Sequence, residues 1–285
     1  MSYPEMMLLA LVQGLTEFLP VSSSGHLRVA GALFGFEGPQ TLVDLGLHAG
    51  TLVAVVAYFR RDVSEILCGL GDSLRLLAAG QLREALTGVA GTRMLLFVVL
   101  GTVPAAVVGL GWGGDLEALS ADLDFVAWMF IANGVILLAS RNLVLPVRSR
   151  MNKGAHGMGW TDALLIGGAQ GLGLLRGISR SGATISAGLI IGLDRETAAR
   201  YSFLLSIPAV LGALVLQLRH GIPEGGPAVP VLAAGIVASA VVGLAALAVL
   251  MRAVRSGRFH LFGLYTLVLG LLVMAWDRGW ITWEV

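Results

Sequence analysis

Charge is scarce in this chain. Of its 285 residues, 19 are Lys or Arg and 18 are Asp or Glu, 13% in all, against about 25% in soluble globular domains. The formal net charge of +1 excludes a nucleic-acid binder held by bulk charge. Cysteine is nearly absent. Cys68 stands alone, which excludes a disulfide framework and a cysteine metal cluster. Met1 to Met7 lack the basic stretch and small-residue cleavage site of a signal peptide, so they are expected to belong to the mature protein. No linker or low-complexity tract divides the chain. What abounds is apolar: 56% of residues are hydrophobic and the mean hydropathy is +0.83. The chain is therefore read as one integral membrane domain over 1–285, with one repeat in 1–150 and a second in 151–285.

The repeat is visible in two ungapped stretches 157 positions apart. Gln13, Gly14, Leu15, Ser22, Ser24 and Gly25 recur as Gln170, Gly171, Leu172, Ser179, Ser181 and Gly182. Each copy interrupts an apolar run with a turn and then a serine cluster. The copies differ in their reactive groups: the first carries Glu17 and His26, the second Arg180 and Thr184. A duplicated, broken apolar segment with complementary groups points to one site built from two halves.

Six apolar runs, near 41–59, 93–112, 124–141, 200–218, 229–251 and 259–276, are long enough to span a bilayer. Arg60, Arg61, Arg75, Arg83 and Arg93 fall in or at the ends of the first loop. Arg141, Arg148, Arg150 and Lys153 follow the third span, and Arg252, Arg255 and Arg258 the fifth. The loop 113–123 has Asp115, Glu117 and Asp122 with no Lys or Arg. The positive-inside rule makes the basic loops cytoplasmic and the acidic loop external. Residues 6–34 and 161–192 instead read as two re-entrant hairpins. Each half, about 13 residues, reaches only about 20 Å, short of a core of about 30 Å. Pro20 breaks the first hairpin and Gly177 the second. One hairpin plus three spans is an odd number of crossings, so the expected fold is all-α, with two inverted-topology repeats whose hairpin tips meet near the midplane. Val63, Ile66, Leu67, Leu70, Leu74 and Leu77 mark 62–92 as an amphipathic helix on the cytoplasmic interface.

Gln13 and Glu17 share one helix face, where they can hold a divalent cation, serve as a general base, or simply bond neighbouring helices. His26 follows Ser22, Ser23, Ser24 and Gly25 at a helix start that favours anions. Ser179, Arg180, Ser181, Gly182 and Thr184 repeat that arrangement with a guanidinium, which binds phosphate bidentately. Two helix starts, an arginine and several hydroxyls would form a phosphate cage.

Residues 13–26 and 177–184 resemble the two signature motifs of bacterial undecaprenyl-pyrophosphate phosphatases of the bacitracin-resistance type, and the similarity runs essentially the whole length, through Tyr201–Pro208. The resemblance implies hydrolysis of a polyprenyl pyrophosphate to the monophosphate and inorganic phosphate. That reaction recycles the lipid carrier for cell-wall synthesis, in the inner membrane, with the site facing the periplasm. It implies a divalent cation, Mg²⁺ or Ca²⁺, with Gln13 and Glu17 as its ligands. It makes Glu17, Ser23, His26 and Arg180 the catalytic candidates, His26 being slightly favoured over Ser23 as nucleophile. Ser22, Ser24, Gly25, Arg176, Ser179, Ser181, Gly182 and Thr184 would bind substrate. The partners are the lipid and the bilayer, with a homodimer open and nucleic acid excluded.

The alternative from another class is a polyprenyl-phosphate flippase, since inverted repeats with broken helices are transporter architecture. Glu17 and His26 opposite Arg180 favour an enzyme. A second class of membrane lipid phosphatase, with Pro-Ser-Gly-His and Ser-Arg-then-His motifs, fails because Ser186 stands where its histidine is needed. The chain departs from the family pattern at Arg176, where the motif has proline, and at Gln13, where glutamate is commoner. On this reading Arg176→Pro raises the KM for the pyrophosphate lipid and steepens the dependence on divalent cation; unchanged kinetics would mark Arg176 as a tolerated substitution.

Overall fold

The computed structural model describes residues 1–34, 40–87, 89–147, 153–219 and 226–282. Arg148 and Arg150 of the expected basic loop lie outside them. The described residues form helices, with an isolated bridge between Lys153 and Leu193 in place of any strand. The first half holds α1 (Tyr3–Phe18), α2 (Ser23–Phe34), α3 (Gln40–Tyr58), α4 (Arg60–Ala78), α5 (Leu82–Thr87), α6 (Ala90–Leu119) and α7 (Leu123–Val147). The second holds α8 (Trp160–Leu172), α9 (Arg180–Ile190), α10 (Arg195–Arg219), α11 (Val229–Arg255) and α12 (Phe262–Asp277). A short 3-10 turn, Phe259–Leu261, leads into α12.

Among the described residues, five helical stretches are long and apolar enough to cross a membrane, and α3 makes a sixth when joined to α4, from which it turns by 79°. The two segments expected to be broken are the pairs α1–α2 and α8–α9. Two expectations need correction. The loop 113–123 is mostly helix, because α6 continues to Leu119 and only Ser120 to Asp122 turn the chain into α7. The Ser120 hydroxyl donates to the Leu116 carbonyl (2.6 Å) where the helix stops. Segment 62–92 is not one helix but α4, α5 and the start of α6. On α4 Leu67, Leu70, Leu74 and Leu77 are exposed, while Val63 and Ile66 pack on the core. The opposite side is tied to α6 through the Ser73 and Thr92 hydroxyls (2.5 Å).

Helices without a polar interior must approach closely to gain dispersion contact, which small residues permit. α7 meets α12 where Gly134 and Gly263 face each other: a Cβ on either would stand 2.7 Å from the other's carbonyl oxygen. Partners are exchanged between halves. α1 packs on α11 and α8 on α6; α3 packs on α11 and α10 on α6. The fully buried Tyr201 of α10 donates its hydroxyl to the Phe97 carbonyl of α6 (2.7 Å).

Substituting isoleucine for Gly134 or Gly263 is therefore expected to cost about 1–3 kcal/mol by overpacking and to lower the thermal midpoint in detergent. Gly111→Ala, where a Cβ would meet nothing, is expected to be neutral or to stabilise by a fraction of 1 kcal/mol. Equal midpoints for both sets would contradict the close α7–α12 contact.

Candidate active site

Both hairpins end in a tight backbone turn. Ser22, at φ 69°, is the one non-glycine residue with positive φ among those described, and Gly177 sits at φ 107°. Gly177 has no room for a side chain, since a Cβ would lie 2.7 Å from the Val126 carbonyl oxygen. The tips bind each other. The Gly177 amide donates to Ser22 Oγ (3.1 Å) and Ser181 Oγ donates to the Phe18 carbonyl (3.0 Å). Asn133 of α7, fully buried, joins them from the side. Its Nδ2 donates to the Pro20 carbonyl (2.9 Å) and its Oδ1 accepts from the Ser179 amide (3.0 Å). Backbone groups freed by the helix breaks are thus paired within the protein.

At this junction lies Glu17, with a side chain 5% exposed. Its Oε1 is ion-paired with Arg180 Nη2 of the other hairpin. Its Oε2 accepts from Ser23 Oγ (2.5 Å) and from Gln13 Nε2 (3.0 Å), and His48 Nε2 lies 3.7 Å away. His48 is held by its Nδ1, which must donate to the Asp44 carbonyl (2.8 Å), because a carbonyl oxygen can only accept.

The junction opens into a cavity of about 840 Å³. Glu17, Ser22, Ser23, Ser24, Ser179 and Arg180 form its polar end together with Asp44 and His48, and the outer parts of α6 and α10 supply apolar walls. Arg28 and Arg176 also line it; Arg176 Nη2 is 4.0 Å from Glu117 Oε1, and Arg28 donates to the Ala121 carbonyl (2.6 Å).

The structure therefore brings together most of the residues singled out from the sequence, but not all on one surface. Gln13, Gly25, His26, Ser181, Gly182 and Thr184 are absent from the cavity wall. Thr184 bonds Ser202 of α10 (2.5 Å). Gly182 donates to Ser179 Oγ, the cap of α9 (3.1 Å). Gly25 packs on Phe130 and on Gly177. His26 turns toward α12: its Nδ1 donates to the Ser22 carbonyl (2.8 Å), its Nε2 meets the Tyr265 hydroxyl (2.8 Å), and the two rings stack at 5.8 Å.

Among the described residues no group of three His, Cys, Asp or Glu side chains forms a metal site. The expected pair still suits a hard cation that completes its shell from phosphate oxygens and water, because Gln13 Oε1 is buried with no hydrogen-bond partner beside the Glu17 carboxylate. Sequence reasoning passed over Asn133, Asp44, His48, Gln170 and Tyr265 as site residues. Asn133 had a signal, a lone amide within the apolar run of α7.

The bacitracin resistance protein BacA family model matches residues 6–272. The undecaprenyl-diphosphatase of Desulfosudis oleivorans is 41% identical over 262 residues, 92% of this chain and 94% of its own. Those of Desulfatibacillum aliphaticivorans and Geobacter sulfurreducens are each 41% identical, over 96% and 94% of this chain and 98% and 96% of their own. With the tip motifs lying inside so long a match, this chain belongs to the bacitracin resistance protein BacA family.

Proposed function

We propose that this protein hydrolyses undecaprenyl pyrophosphate to undecaprenyl phosphate and inorganic phosphate, with Ser23 as nucleophile and Glu17 as its base. One observation carries the reading: Ser23 Oγ donates to a Glu17 oxygen at 2.5 Å at the polar end of a large cavity, while the other oxygen holds Arg180. A hydroxyl becomes a useful nucleophile when a base takes its proton. As Ser23 Oγ bonds to the terminal phosphorus, its proton passes to Glu17, the anhydride P–O bond breaks, and undecaprenyl phosphate departs. Water then adds to the phosphoserine, the Oγ–P bond breaks, and Ser23 recovers a proton as inorganic phosphate leaves. Arg180 has four N–H groups beyond the one given to Glu17, enough to hold phosphate oxygens as charge builds on them. His26 has both ring nitrogens engaged by Ser22 and Tyr265, which suits it to fix the Ser22–Ser23 turn rather than to attack. Bound by the Gln13 carbonyl and Glu17, a divalent cation would supply positive charge to the pyrophosphate.

The cavity's chemistry matches an amphiphile: Arg180 and serines at the hairpin tips, with apolar stretches of α6 (Ala105, Ala106, Leu110) and α10 (Val210, Leu211, Leu214, Val215) beside them. Its wall includes Glu117, in the last turn of α6, and Ser120, which follows it; the positive-inside rule makes that acidic end external, which supports a cavity facing the periplasm of an inner-membrane protein. The exchanged packing of the two halves supports an inverted two-fold relation between the repeats. In that role the enzyme recycles the lipid carrier of cell-wall synthesis.

Two outcomes follow. Ser23→Ala abolishes turnover, and a phosphoenzyme trapped from the unaltered protein is acid-stable phosphoserine at Ser23; acid-labile phosphate on His26 would overturn the assignment. Arg180→Ala lowers the rate by on the order of 10²–10³ at equal folded protein, and near-normal hydrolysis would sink the two-tip site.

A further inference from the structure

Gln170 is 1% exposed, and neither its Nε2 nor its Oε1 has a hydrogen-bond partner. Buried amides left unpaired are costly and rare in native proteins. The repeat shows how this one arises. In the first copy Gln13 Nε2 donates to Glu17, four residues on (3.0 Å). In the second copy the residue four beyond Gln170 is Leu174, which offers no acceptor. Gln170 and Leu174 both line the cavity. The end of α8 that carries Gln170 is seated on the other key group: the Gly173 amide donates to the Gln170 carbonyl (3.0 Å), and a Cβ on Gly173 would lie 2.6 Å from Arg180 Cα. An amide without an internal partner, on a wall shared with Arg176 and Arg180, is suited to an anion with hydrogen-bonding oxygens.

We propose that Gln170 is a neutral phosphate ligand. Its Nε2–H donates to a non-bridging oxygen of the terminal phosphate, and its Oε1 accepts from the water that accompanies that group. This rests on the pyrophosphate reading of the site and deepens it: the first copy of the motif uses its glutamine to hold the base, the second to hold the substrate. It also makes Gln170 a ligand for the inorganic phosphate product.

The test uses the purified full chain, with inorganic phosphate as probe in calorimetry and with KM and the thermal midpoint measured alongside. Gln170→Leu is expected to weaken phosphate binding and raise KM about tenfold, a change of about 1.4 kcal/mol. The midpoint should hold or rise, because an unpaired buried amide has been removed. Gln170→Met serves if the leucine variant does not fold. Unchanged phosphate affinity in either variant, affinity that falls only in step with the midpoint, or no phosphate binding by the unaltered chain overturns the proposal. Failure of the unaltered protein to hydrolyse the lipid, with phosphate still held through Gln170, would instead overturn the hydrolase reading alone.

Discussion

The ion pair between Glu17 and Arg180 is the constraint on which the rest depends. Each residue sits on a different half of the chain, near the point where a helix breaks. A carboxylate or a guanidinium taken alone into a low-dielectric interior costs several kcal/mol. Placed together, each lowers the cost of burying the other, and the chain must then bring two distant hairpins tip to tip. The supporting bonds follow from that need. Ser22 to Gly177, Ser181 to Phe18 and Asn133 to both tips pair the polar backbone that the breaks expose.

Such a lock explains why the serines of the two motifs divide their labour. Ser181 and Thr184 are consumed in holding helices together, by bonds to Phe18 and Ser202. Ser23 stays on the cavity wall and donates to the Glu17 carboxylate. The geometry that stabilises the fold thus leaves one hydroxyl and one guanidinium on the cavity wall, the place that the proposed function gives to an anionic headgroup. On that reading the apolar walls beside them would take the hydrocarbon tail.

Much of this was legible in the sequence because the governing signals are local. Run length separates spans from half-helices, and Pro20 and Gly177 mark the breaks. The matching serine clusters told which broken segments belong together. Side-chain direction was not legible. His26 sits beside the serine cluster in sequence, yet the helical turn points its ring at Tyr265, 239 positions away, and nothing near residue 26 announces that partner. Asn133 and Asp44 act through helices distant in sequence. The helical continuation of α6 through Gly111, Gly113 and Gly114 was hidden because those glycines and the acidic residues after them read as a loop.

The central claim, that Glu17 and Arg180 act as one unit across the two hairpins, is tested most directly by a double-mutant cycle on lipid pyrophosphate hydrolysis. Glu17→Gln, Arg180→Gln and the pair would be compared at equal folded protein. Groups that act together are non-additive, so the double variant should lose no more activity than the worse single one. Losses that multiply would show two independent contributions and contradict a single site shared by the two tips.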